Sequence, residues 1–536
     1  MLCYPDTSAI LRRGRAAPAE NQPQAALPSL AMRRAPPLLL RAAALAGRAT
    51  ANGPASAAAA LTPRRAPLPP LAAANTRFAS SSATTPTTLS SFDHNQQRRW
   101  QSTSKAEAIK TVNAFVKQAL ASLEGVPQGV ERAVLNPDRR LTVALTVPLD
   151  SGEVAQYMAH RVQFNNARGP YKGGLKFSLD ASLADIEGLA SLNTWKTALM
   201  GVPFGGSKGG VVVDPQELSA RELEKLTRKL VGAMKEFFGP FQDVPAPDIG
   251  TDERIMAWIF DEYSKYKGFS PAVVTGKPQH LHGSLGRDSA GGRGVLFAAR
   301  EFLRDALCAR VQGSTFVVQG FGKLGSAAAR FLHEAGGKVI AVADARGAVH
   351  NERGLDIPRL QQHAARGGML SDFDGGGALM NDSVSFLSLP CDVLVPAAIS
   401  GVITSRTAPK LQCRAVIEAA NAACTPEGDG VLRQRGIPVL PDLYANAGGV
   451  VVSFFEWVQN LQNFRWEADE IDRQLDAYMT DTWRSIRRAA RERSGGAAAA
   501  AAAAAATGDG ATPLRLAAYT LAVQRVVDAE RHRGFD

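Results

Sequence analysis

One stretch constrains this chain more than any other. Residues 315–332 read TFVVQ, GFGKLG and SAAARFL without a gap, and HEAGG leads from there to KVIAVAD at 338–344. The first apolar run reads as a short buried strand, the Ala-rich run as a helix, and KVIAVA as a second strand. Gly320, Gly322 and Gly325 fall at the strand–helix junction, and Asp344 follows the first of them by 24 residues. A GxGxxG alone is weak evidence; between strand and helix, with that acid beyond, it is the context a dinucleotide fingerprint requires. The glycines allow a tight turn and close approach of backbone to pyrophosphate, and the helix start offers free N–H groups to phosphate. Asp344 would accept from ribose hydroxyls and repel a 2′-phosphate, favouring NAD. Arg346 could receive that phosphate, so NADP stays open.

Strand–helix alternation continues to about residue 445, the signature of a parallel, doubly wound sheet. Before it, 105–125 has helical period, 141–147 and 152–164 alternate like strands, and 180–200 and 216–238 return to helix. Gly-rich breaks, RGPYKGG at 168–174 and PFGGSKGG at 203–210, separate them. Residues 448–494 are helical in pattern, and ten alanines at 497–506 read as an exposed loop insert. The expected fold is α/β in two domains. The first domain spans 105–285, a Rossmann-like nucleotide domain spans 286–444, and C-terminal helices occupy 445–536.

Charge is unevenly placed. The 536 residues carry a net +11, but residues 1–100 hold 12 Arg and no Lys against three acids. The remainder holds 49 bases against 47 acids, so the globular part gives no electrostatic reason to expect a nucleic-acid partner. An Arg-rich, Ser-rich, acid-poor N-terminus reads as a disordered transit peptide over 1–100, with the mitochondrial matrix favoured over a plastid. Processing near Arg98-Arg99-Trp100 is expected. No run of about 20 uncharged apolar residues occurs, so no membrane-spanning helix is expected. Cys308, Cys391, Cys413 and Cys424 lack metal-site spacing; they read as free thiols, and no metal is expected.

Three lysines stand in unusual settings before the nucleotide fold. Lys172 lies in PYKGG, Lys196 in NTWKTA, and Lys208 in PFGGSKGG. Lysines mostly sit on solvated faces, but glycine neighbours let backbone and ligand approach closely. Asp248, in VPAPDIG, sits in a rigid turn. If these groups converge, mutual repulsion makes each ammonium more acidic, and a lysine lowered toward pH 7–8 can work as general acid and base.

NARGPYKGG, TWKTA, PFGGSKGG, VPAPDIGT, GSLGRD, QGFG, CDVLVPAA, PDLYANAGGV and SFFEWVQN together resemble the glutamate dehydrogenases of the Glu/Leu/Phe/Val dehydrogenase family. The likeness covers about 105–536 and is nearest the plant-type mitochondrial NAD-dependent enzyme. It implies that Lys208 polarises a 2-oxo group and activates water, with Asp248 as its proton-shuttling partner. Lys196 matches the lysine for the α-carboxylate, Lys172 and Ser453 the pair for the side-chain carboxylate. Gly320, Gly322, Gly325 and Asp344 fit the cofactor fingerprint, and Asn421 and Asn446 match asparagines lining the cofactor site. The implied reaction is reversible NAD-linked deamination of L-glutamate to 2-oxoglutarate and ammonium, in a homohexamer. The resemblance further implies that 105–285 is the substrate and oligomerisation domain and that the helices of 445–536 return to it. Two alternatives are a leucine- or phenylalanine-type enzyme and a silent regulatory subunit. The chain departs from the pattern at Gly291 (usually Thr), Lys323 (usually Asn), Asn193 (often Met) and around Asn421 in EAANAACTPEGD.

Overall fold

The structure, a computed structural model, describes residues 110–377, 383–493 and 513–534. The segment expected to be a transit peptide and the alanine insert therefore lie outside the described residues. After a helix at 110–121, two mutually antiparallel strands, β1 (Arg139–Pro148) and β2 (Val154–Asn165), open a five-stranded sheet. β3 (Tyr171–Phe177), β4 (Gly206–Val211) and β5 (Asp243–Pro247) complete it in the order β1-β2-β4-β3-β5. β2 meets β4 antiparallel, while β3 runs parallel to both β4 and β5. Helix Leu183–Leu199 joins β3 to β4, and Ala220–Met234 leads toward β5. Ser219 and Glu222 start the second of these with reciprocal side-chain–backbone bonds, satisfying two N–H groups the first turn would orphan.

The second sheet has six strands: β6 (Thr315–Gln319), β7 (Lys338–Ala343), β8 (Ala348–His350), β9 (Cys391–Pro396), β10 (Cys413–Ile417) and β11 (Val439–Leu440). Their order, β11-β10-β9-β6-β7-β8, is the doubly wound one, and it switches direction between β6 and β9. The expected all-parallel sheet fails at one strand. β8 is antiparallel to β7 because only the Asp344–Gly347 turn joins them, and a parallel return needs a long crossover.

The C-terminal pattern also divides. The expected helical run at 448–494 is two helices, Gly448–Gln462 and Ala468–Arg493, broken where Asn463 takes a left-handed φ of 50°. The return to the substrate half is made by Leu514–His532, which packs on Leu183–Leu199. Ala468–Arg493 instead lies against Ala290–Ala306, inside the segment expected to belong to the nucleotide half. One apolar core runs from Val112 through Trp195 and Phe316 to Val527, tying both sheets to these helices. No described helix is long and apolar enough to cross a membrane.

Candidate active site

Lys208 lies in the middle of β4, and Asp248 is the first residue after β5. Their side chains meet in a direct ion pair. Gly174 on β3 makes the approach possible, since a Cβ there would come within 2.5 Å of Asp248 Oδ2. Burial pushes the Asp248 carboxyl up, but the Lys208 charge and hydrogen bond and the Ile249 N–H outweigh it, leaving it below the usual range. Both residues line a cleft of about 280 Å³ that continues along Lys176 to Ile399, Ser400 and Asn421 on the nucleotide side. Asn193, one of the departures, donates from Nδ2 to the carbonyl of Ser207 at 2.8 Å and so braces the residue before Lys208.

Lys196 sits in the last turn of Leu183–Leu199, buried. It donates to Asn446 Oδ1 at 2.6 Å and to Asn421 Oδ1 at 3.1 Å. Asn446 Nδ2 in turn donates to Asn421 Oδ1 and to the Ala419 carbonyl. Two residues expected at the cofactor thus bear on Lys196, the lysine expected at the α-carboxylate. Burial lowers the Lys196 ammonium to about 8, with Asp442 opposing and Lys208 reinforcing the fall. Asn421 rides on a loop whose next residue, Ala422, holds a left-handed φ of 46°, a conformation costing an L-residue about 1–2 kcal/mol.

Lys172 and Ser453 are both buried, outside that cleft's walls. The Lys172 ammonium reaches only the Pro245 carbonyl, at 3.5 Å. Burial, then the charges of Arg287 and Arg161, hold it well below a normal lysine. Ser453 donates to the Gly449 carbonyl at 2.8 Å, within its own helix. What joins the two is Arg287, which sequence reasoning missed. Its Nη1 would lie 3.7 Å from a Cβ on Gly449, and its Nε is buried without a hydrogen-bond partner. Among the described residues neither Lys172 nor Arg287 has an ion-pair partner, whereas neighbouring Lys277 is paired with Glu456 at 2.7 Å. The only sequence signal for Arg287 was its place in GSLGRD, between a glycine and an acid.

The fingerprint turn fits a dinucleotide. Gly320 has a φ of 106° and packs against Ala397 at the end of β9, so the turn sits at the switch point of the sheet. A Cβ on Gly322 would meet nothing, leaving open space above the turn. Helix Lys323–Glu334 starts there with no side-chain cap, so its first N–H groups are free for phosphate. Gly325 allows the helix to close on the Gly320 carbonyl. Gln319 Oε1, at the strand end, is buried with no partner. Asp344 is half-spent on its own hairpin: Oδ1 accepts from the N–H groups of Arg346 and Gly347, while Oδ2 faces the Arg346 guanidinium at 3.7 Å. Gly291 lies under Leu324, whose Cδ1 would be 2.8 Å from a Cβ there.

Residues 137–265 match the Glu/Leu/Phe/Val dehydrogenase dimerisation domain, and 283–534 match the glutamate/leucine/phenylalanine/valine dehydrogenase domain. Glutamate dehydrogenase A2 of Halobacterium salinarum is 42% identical over 428 residues, 80% of this chain and 98% of that protein. Among solved structures, the hetero-hexameric glutamate dehydrogenase of Thermus thermophilus in its Leu-bound form superposes with a TM-score of 0.71 at 34% identity. That match covers 78% of this chain and 95% of the other. The glutamate dehydrogenase of Peptoniphilus asaccharolyticus gives 0.66 at 32% identity, over 80% and 100%.

Proposed function

This chain belongs to the Glu/Leu/Phe/Val dehydrogenase family, and from that premise we propose that it deaminates L-glutamate oxidatively to 2-oxoglutarate and ammonium, reversibly and with NAD. The observation that carries the substrate is that buried Lys172 and half-buried Arg287 have, among the described residues, no carboxylate within ion-pair distance; Glu456, whose charge reaches both, is bonded to Lys277. Beside the two cations the Ser453 hydroxyl completes a pocket for a distal carboxylate. An apolar side chain there would strand these groups at a cost of several kcal/mol in order of magnitude.

Lys196, charged below about pH 8, holds the α-carboxylate. That leaves the α-carbon over the Lys208–Asp248 pair. Asp248 takes a proton from the substrate ammonium as the α-hydrogen departs as hydride. When bound, a nicotinamide dinucleotide supplies the hydride acceptor. Lys208 then takes a proton from the water that adds to the iminium carbon and polarises the oxygen left there; Asp248 returns its proton to the amine nitrogen, and ammonia leaves as the carbinolamine hydroxyl gives up its proton and becomes the 2-oxo group. The free N–H groups at the start of Lys323–Glu334 would hold the pyrophosphate, and Asp344 the adenosine ribose.

Initial rates with glutamate, norvaline and leucine, each with NAD and NADP, test this reading. Preference for leucine over glutamate would move the chain to the aliphatic branch of the family. A hetero-hexamer among its structural neighbours makes a silent subunit the second reading; no turnover with any substrate would favour it. Homohexameric assembly is part of the same proposal, checked by light scattering. So is delivery of the chain to the mitochondrial matrix by residues 1–100, checked by fusing them to a fluorescent reporter.

A further inference from the structure

We propose that Arg515 is a positioning residue for the candidate active site: through Glu418 and Asp442 it holds the loop 419–424 so that Asn421 meets Lys196. The importance of that contact rests on the reading of Lys196 as the α-carboxylate lysine. Arg515 opens the last helix, almost 100 residues from Glu418, and is buried. Its Nη1 donates to Glu418 Oε2 at 2.7 Å and its Nε to Asp429 Oδ1 at 2.9 Å; Asp442 Oδ1 lies 3.9 Å from Nη1. The Phe115 ring lies against the guanidinium, 4.8 Å from its centroid.

Of the three carboxylates around Arg515, Glu418 and Asp442 are the ones that grip the loop. Glu418 Oε1 accepts the Cys424 N–H at 2.7 Å, and Asp442 Oδ2 accepts the Ala422 N–H at 2.7 Å. Glu418 Oε2 also takes the Asp442 N–H, locking the two acids together. Asn421 is therefore flanked on its C-terminal side by two pinned amides, one of them on the left-handed Ala422. Two buried carboxylates and a half-buried third cannot stay ionised together without a cation, and Arg515 is the cation. A lysine could neutralise one of them but could not span Glu418 and Asp429 with separate nitrogens.

The groups facing Glu418 are Arg515 and Tyr519 from the last helix, Asp429, Asp442 and the Cys424 thiol. Burial pushes Glu418 up to about 7, Arg515 opposing and Asp442 and Asp429 adding. Below that pH it takes a proton and its grip on Arg515 and Cys424 weakens.

The test uses the full chain as Arg515→Lys and Glu418→Gln, followed by hydrogen exchange and by glutamate kinetics from pH 6 to 8. Exchange at the Ala422 and Cys424 amides should quicken about tenfold or more, while β6 and β7 amides keep their protection. Glutamate KM at pH 8 should rise about tenfold with kcat changed less than about twofold. In the wild type KM should climb as pH falls through 7, and Glu418→Gln should lack that limb. Glu418→Gln keeps the side chain's shape, so it carries the test if Arg515→Lys does not fold. Unchanged exchange at both amides, or faster exchange with glutamate KM unmoved, overturns the proposal. A wild type that turns over no glutamate overturns the proposed function instead, and the exchange result still decides the clamp.

Discussion

Arg161 and Lys172 are cations buried in the same five-stranded sheet, yet their surroundings are opposite. Arg161, on β2, is fully enclosed and saturated. It pairs with Asp243 through Nε at 2.9 Å and Nη2 at 2.5 Å, bonds Ser207 Oγ at 2.7 Å, and reaches the carbonyls of Gly173 and Gly174. Gln163 and Ser207 complete the Asp243 carboxylate. Lys172, on β3, has one long contact to a carbonyl. A buried charge with every valence met is architecture: it ties β2, β3, β4 and β5 together. A buried ammonium left short is destabilising, and burial holds Lys172 well below a normal lysine; on the proposed function its missing partner is the distal carboxylate of the substrate.

The sharpest break would come from the chemistry between these two cations. Lys208→Ala should cut turnover by about 10²–10⁴-fold, the usual loss for an acid–base group, with the thermal midpoint nearly unchanged. A variant keeping more than about a tenth of wild-type activity would refute the role.

Next come the two cations themselves. Arg161→Met strands Asp243 in the core and should cost about 3–5 kcal/mol, seen as a large fall in thermal midpoint. Lys172→Met, measured without ligand, should leave the midpoint unchanged or raise it. If both variants lose stability alike, the distinction between saturated and unsaturated charge is wrong.

Lys172→Leu with Ser453→Val should lower glutamate kcat/KM by at least about two orders of magnitude, roughly 3 kcal/mol. Norvaline and leucine should lose much less, or gain. An equal loss for all three substrates would mean the pair supports the site generally.

The smallest effect is a pH dependence. Folding lowers Lys196 to about 8 from an ordinary 10.5. Its charged form is the one that holds a carboxylate, so KM for glutamate and norvaline alike should rise as pH passes 8, by about tenfold per unit at the limit. The same shift costs stability in full below pH 8, and that cost fades as pH rises toward 10.5. A flat KM between pH 7 and 9.5 would remove Lys196 from the α-carboxylate.

What could be read in advance follows from range along the chain. The fingerprint was legible because its strand, turn and helix are contiguous, so local pattern and long-range structure agree over 315–344. β8 was not, since a three-residue strand after a tight turn leaves no alternation to count. The break at Asn463 was hidden because NLQNFRW contains neither glycine nor proline; an asparagine in the left-handed region did the work. In the site, Lys208 and Asp248 drew attention by their glycine and proline neighbours. Arg287 had no such flag, and its meaning lies in a partnerless Nε that only packing reveals. Glu418 and Arg515 are far apart in sequence, with no periodicity to connect them.

The packing of Leu514–His532 on Leu183–Leu199 has a consequence for the order of events at the ribosome. Asn165 at the end of β2 donates to Glu530 at 2.6 Å, and Arg525 caps the Ala198 and Leu199 carbonyls. The half of the molecule synthesised first is therefore completed by a segment synthesised after the whole second sheet. The later half, from β6 to β11, has all its strands in hand some 70 residues earlier. Vectorial synthesis should then leave both the Leu183–Leu199 helix and the 419–424 loop unfinished until Leu514–His532 emerges and docks on them.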